Sequence, residues 1–134
     1  MSKVVPGNEE YIFQGKVAIS QSDIAGRIQF VNRKFCEVSG YTQEELIGKD
    51  HSILRHPDVS DVIFEKMYKT LDSGQTYNGV LKNLRKDGKY YWVDIEIMPI
   101  YDENENIIGF ISVSKPSPRK NIQENEKLLQ KVSI

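Results

Sequence analysis

The sequence predicts an α+β fold: a five-stranded antiparallel sheet with helices gathered on one face, followed by a C-terminal linker helix. Three observations carry that expectation. Near the start, Val17 and Ile19 alternate with Ala18 and Ser20, and a second short apolar run follows from Arg27 to Val31. In the middle, Ile63, Met67 and Leu71 fall four apart with Phe64 and Tyr68 beside them, the spacing of a one-faced helix. From Gln75 onward the period becomes that of strands, interrupted by Asp87-Gly88, a strong short hairpin signal.

Residues 1–15 form a lead-in whose apolar cluster is Tyr11, Ile12 and Phe13. Residues 16–115 form the domain. Its first strand runs from Lys16 to Ser22, and Asp23 to Gly26 turns it into the second. Asn32 is a helix N-cap, with Phe35, Cys36 and Val38 on one helical face and Ser39-Gly40 as the stop. Thr42 and Glu45 have capping-box spacing, and Gly48 ends the short helix they open. Asp58 or Ser60 caps the next helix, which runs to about Ser73 before Gly74 breaks it. Tyr77, Gly79, Leu81 and Asn83 share one strand face, while Val80, Lys82 and Leu84 share the other. Tyr91, Val93, Ile95 and Ile97 alternate with Trp92, Asp94 and Glu96, and the last strand runs from Ile107 to Ser114. Trp92, Val80, Ile111 and Val113 then make an apolar patch on the outer face, to be covered by the Tyr11 to Phe13 cluster or by a partner. Pro116 and Pro118 end the domain, and residues 116–134 are a linker with an exposed helix from Arg119 to Val132. Ile122, Asn125, Leu129 and Val132 give that helix a short coiled-coil-like seam.

A chain of 134 residues suits one domain with one core. Eighteen basic against nineteen acidic residues leave a net charge of -1, which argues against a general nucleic-acid binder. No apolar run approaches the ~20 residues of a membrane-spanning helix, and residues 1–10 hold no signal-peptide core. The lone Cys36 rules out an internal disulfide and a multi-cysteine metal site. A cytoplasmic domain, whole or cut from a longer cytoplasmic chain, is the expectation.

The chain is organised around residues 50–58, where both histidines, an arginine and two aspartates flank Ile53 and Leu54. A segment that packs on one side and binds on the other mixes residues in this way. Pro57 keeps His56 out of helical backbone angles.

Two longer stretches, Gly26 to Gly48 and Arg85 to Trp92 followed by Met98, Pro99 and Ile100, resemble the PAS domain family. Arg55-His56-Pro57-Asp58 and Tyr77 to Asn83 resemble more narrowly the aerotaxis-receptor PAS domains, which hold FAD non-covalently and report redox state. Flavin PAS domains of nitrogen-fixation redox sensors share much of Tyr41 to Leu54. Two departures stand out. Tyr77 replaces a tryptophan common in that family, and the reactive cysteine of light-sensing flavin PAS domains has no counterpart in Asp50-His51-Ser52.

The resemblance implies FAD as cofactor and a set of contacts to it, each with a plainer alternative. Arg55 faces the cofactor pyrophosphate, or pairs with Asp58 or Asp61. His56 contacts the flavin or its adenine side, or braces its turn through a ring nitrogen. His51 lines the ring pocket or caps the preceding segment. Asp58 holds Arg55 or the ribityl hydroxyls, or caps the next helix. Asn83 meets the isoalloxazine edge, or bonds between strands. Tyr77 and Tyr91 line the pocket or simply pack, and Asn32 feels the cofactor or only caps its helix. The expected function is a redox or oxygen sensor relaying to a chemotaxis or other signalling output, with no catalytic residue and a homodimer through the outer sheet face or the lead-in. The rivals are a haem gas sensor with His51 or His56 as axial ligand and a cofactor-free interaction module.

Overall fold

The computed structural model describes residues 4–129. Five antiparallel strands form one sheet: β1 (Ala18–Asp23), β2 (Ile28–Val31), β3 (Tyr77–Leu84), β4 (Tyr90–Tyr101) and β5 (Ile107–Pro116), in the order β2-β1-β5-β4-β3. Between β2 and β3 lie α1 (Arg33–Ser39), α2 (Gln43–Leu46), a 3-10 turn (His51–Leu54) and α3 (Asp61–Asp72), with α4 (Arg119–Leu129) last. Because β1 pairs with β5, the hairpin at one end and the meander at the other close into a single curved sheet.

The helices start where the sequence supplies caps. Asn32 Oδ1 accepts from Phe35 N, and Thr42 and Glu45 complete a reciprocal capping box. Ser60, rather than Asp58, caps α3, accepting from Val62 N. Gly40 and Gly88 sit at φ 81° and 90°, where an L side chain is strained, and end a helix and turn a hairpin respectively. The α3 stripe is realised with Phe64, Met67 and Leu71 buried.

Three segments differ from expectation. β5 extends to Pro116, which pairs with Val93 at a strand end, where a missing N–H removes little. The lead-in does not cover the outer face. It straps the β3–β4 hairpin, with Gly7 N donating to Gly88 O, Tyr90 N to Glu9 O and Tyr11 N to Tyr90 O. Phe13 consequently ends on the inner side, buried. α4 is not a free helix either. Ser117 Oγ donates to Asp94 Oδ1 and Arg119 Nη2 bonds both oxygens of Glu10, and the helix folds back against β3 with Ile122 only 4% exposed. Trp92, on the outer face, is buried as well. Of the proposed seam, Asn125 bonds its own helix at Asn121 O, while the Leu129 side chain and Val132 lie outside the described residues.

Candidate functional site

A cavity of about 340 Å³ lies between the sheet's inner face and the helices. That is the size range of small-molecule and cofactor sites. Register explains where it forms. Ala18 pairs with Ser114, Ser20 with Ser112 and Ser22 with Phe110, so the β1–β5 half of the inner face is floored mostly by small side chains. On the other half, Leu81, Tyr91, Val93, Ile95 and Ile97 form a large apolar wall. Phe35 and Val38 of α1 and Phe64, Met67 and Leu71 of α3 close the opposite side.

The polar groups on this wall are few and placed by their neighbours. His51 begins the 3-10 turn; its Nε2 lies 3.0 Å from Ser20 Oγ and its ring meets Phe35 edge-on at 6.0 Å. Burial holds His51 below the ordinary imidazole value and the Arg55 charge acts the same way, while its own backbone and Asp50 pull against them. Asn83 and Tyr91 are direct cross-strand partners, both on the wall. Burial pushes the Tyr91 phenol far above the ordinary tyrosine value, opposed by a hydrogen bond with Asn83. Tyr91 therefore stays uncharged beside Asn83, its cross-strand partner.

Arg55 stands at the mouth. Its backbone forms an isolated antiparallel bridge with Asn83, which joins the 3-10 turn to β3. Its guanidinium lies over the Phe64 ring at 4.0 Å, and Nη2 donates to the Tyr68 hydroxyl. It makes no ion pair among the described residues; the Asp58 carboxylate instead meets Lys82 Nζ at 3.3 Å. A cation stacked on an aromatic face keeps its edge donors free.

The remaining expected residues sit off the wall. His56 is buried with Nδ1 accepting from Asp58 N, the bracing arrangement, and its ring meets Tyr90 edge-on at 6.4 Å. Burial and then Lys82 depress its titration, against Asp58. Asp58 is exposed beside it. Tyr77 lies along its own strand with its hydroxyl over Gly79, and burial raises its titration. Asn32 has both ends of its amide engaged, accepting from Phe35 N and Ile19 N and donating to Val17 O. Conversely, Ser22 of β1, Ser112 and Ser114 of β5, Phe13 and Tyr68 line the cavity without having been singled out. Ala18, Ser20, Ser22 and Ser112, Ser114 repeat small residues at strand period, a pattern that gains meaning only once register pairs the two strands.

The family pattern described as the PAS fold matches residues 28–114. The chain is 36% identical over 110 residues to the aerotaxis receptor of Escherichia coli (strain K12), covering 82% of this chain and 22% of the receptor. It is 30% identical over 102 residues to the nitrogen fixation regulatory protein of Klebsiella oxytoca, covering 76% of this chain and 21% of that protein. The chain thus spans about a fifth of the length of these curated relatives. Among solved structures, a light-oxygen-voltage domain studied with a flavin analogue superposes with a TM-score of 0.71 at 27% identity, covering 86% of this chain and 88% of that one.

Proposed function

The chain belongs to the PAS fold family, and from that premise we propose that it is a sensor module holding FAD in the sheet–helix cavity and relaying the flavin's redox state to a signalling partner. The observation that carries this reading is the cavity itself. Its walls are largely apolar, Asn83 lines it from β3, and one arginine with no ion pair among the described residues stands at its mouth. A planar, largely apolar ring with hydrogen-bonding edges and an anionic tail fits that distribution. The aerotaxis receptor and the light-oxygen-voltage domain support it by likeness.

In this reading Arg55 takes the pyrophosphate, Asn83 meets the polar edge of the ring, and His51 and Tyr91 bound the ring's place. His56 and Asp58 hold the turn that presents Arg55, and Asn32 and Tyr77 hold the surrounding backbone. A bound flavin supplies redox chemistry with proton uptake at its ring. A shift of the Asn83 amide would reach β4 through its cross-strand partner Tyr91. From there Tyr11, edge-on to Tyr91 at 6.5 Å, and the strap carry it toward Glu10 and Arg119 at the start of α4. A two-state element biased by its ligand works in this way. No side chain is required as a catalyst. Away from β3, Ile19, Ile111 and Val113 on the outer face offer a surface for a second copy or a downstream domain. No helix among the described residues is long and apolar enough to cross a membrane, and we place the module on the cytoplasmic side. A haem is not favoured: His51 Nε2 is engaged by Ser20, and His56 does not face the cavity.

The test is hydrogen exchange on FAD-loaded protein, oxidised and then reduced without oxygen. Altered protection in β3, β4 and the first turn of α4 is expected. Identical protection in both states would contradict the relay.

A further inference from the structure

Arg55 and Tyr68 approach the cavity mouth from different elements. Arg55 closes the 3-10 turn, its N–H donating to Ser52 O and its backbone bridged to Asn83, so its position is fixed from both sides. Tyr68 lies on α3 one turn after Phe64, and both residues line the mouth. The Arg55 guanidinium lies over Phe64, 4.0 Å from its ring centre, and 5.6 Å from the centre of the Tyr68 ring. Of its five N–H donors, one is directed at the Tyr68 oxygen. Tyr68 accepts that bond, so its own O–H is left to donate. The ring is 46% exposed, and the hydroxyl therefore stands at the boundary between cavity and solvent. No carboxylate among the described residues makes an ion pair with Arg55, although, together with the Ser52 N–H, its charge helps to hold the Asp50 carboxyl below the ordinary value. Asp58 is held by Lys82, and Asp50 accepts from Ser52 N. Asp72 is on the rim one turn beyond Tyr68, exposed and without an ion pair among the described residues.

We infer that Tyr68 is a phosphate-binding residue, donating its hydroxyl proton to the same phosphate group that Arg55 neutralises, and so selecting a phosphorylated ligand over its unphosphorylated core. The inference rests on the flavin reading. A phenol that accepts from a cation and donates to an anion completes a charge-assisted chain.

Riboflavin, FMN and FAD share one ring and differ in phosphate, so titrating the ligand-free protein with each by flavin fluorescence reads the contact directly. FMN and FAD should bind at least about tenfold tighter than riboflavin. Tyr68→Phe keeps the ring and should weaken FMN and FAD by about three- to tenfold while riboflavin stays within about twofold. In an Arg55→Ala background, Tyr68→Phe should weaken FMN and FAD further. If the second substitution then has no effect, Tyr68 acts only through Arg55 and the inference is overturned. It is overturned equally if Tyr68→Phe weakens all three ligands alike, or none. Riboflavin binding with no gain from phosphate overturns the inference and leaves the flavin reading standing. Failure of all three to bind the unmodified protein overturns both.

Discussion

On the β1 and β5 half of the inner face, Ala18, Ser22, Ser112 and Ser114 turn small side chains toward the helices; on the β3 and β4 half, Leu81, Val93, Ile95 and Ile97 turn large ones. Both sets are buried, and the strands on both sides are antiparallel. What differs is side-chain volume. The cavity exists because one half of the floor leaves out the methyl and methylene groups that the other half supplies. Protein interiors otherwise pack at crystal-like density, and missing contacts cost stability that a fitting ligand restores. The large half supplies core and the small half supplies room, and substitutions on each should therefore act on different observables.

The largest effect is expected from the large half. Leu81→Ala removes a buried side chain from the wall and should lower unfolding free energy by ~2–5 kcal/mol, measured by denaturant titration. A loss under ~1 kcal/mol would mean that this half is not core. Ser112→Leu should do the reverse. It fills empty space, so the ligand-free protein should stay folded with stability changed by no more than ~1–3 kcal/mol, while flavin affinity falls roughly a hundredfold, ~2.7 kcal/mol. Retained affinity would move the ring's site away from the serine floor. Asn32→Ala comes next. It removes the cap of α1 together with the bonds to Ile19 and Val17, and should cost ~1–2 kcal/mol with ligand affinity unchanged. A selective loss of ligand would return Asn32 to the binding set.

The smallest effect separates the two histidines' neighbourhoods from the rest. His51 and His56 both titrate below the ordinary imidazole value of 6.5, first because of burial. Between their folded values and 6.5 the unfolded chain binds more protons. Their contribution is complete above pH 6.5 and is lost as pH falls through the depressed values. The depressed carboxylates Asp50 and Asp87 act only lower, at and below 3.8. Thermal midpoints should therefore drop as pH falls below 6.5, and His56→Gln should flatten the slope. A midpoint that rises on acidification would contradict the burial of both rings.

Much of this contrast could be read before the fold was known, and for physical reasons. Caps and breakers act locally, so Asn32, Thr42 with Glu45, Gly74 and Asp87-Gly88 announced their elements without tertiary help. The large half was equally legible, because Tyr91 to Ile97 alternates at strand period. The small half was not, since serine and alanine in a strand read as unremarkable until register sets Ser20 opposite Ser112 and Ala18 opposite Ser114. The residues of the segment from Asp50 to Asp58 part company: Arg55 and His51 reach the cavity while His56 and Asp58 turn away to brace the loop. Which way a side chain points after a proline-directed turn depends on Lys82 and Tyr90, residues more than twenty positions away. Similarly, nothing local told the lead-in to strap the β3–β4 hairpin, because that path rests on backbone bonds to Gly88 and Tyr90.

The visible absorption spectrum of the purified protein, as isolated and after incubation with excess FAD and desalting, tests the central claim most directly. Flavin bands in the blue, retained through desalting and absent from Ser112→Leu handled identically, are the expected result. A Soret band, or a folded protein that stays colourless after exposure to FAD, would contradict a flavin held over the serine floor.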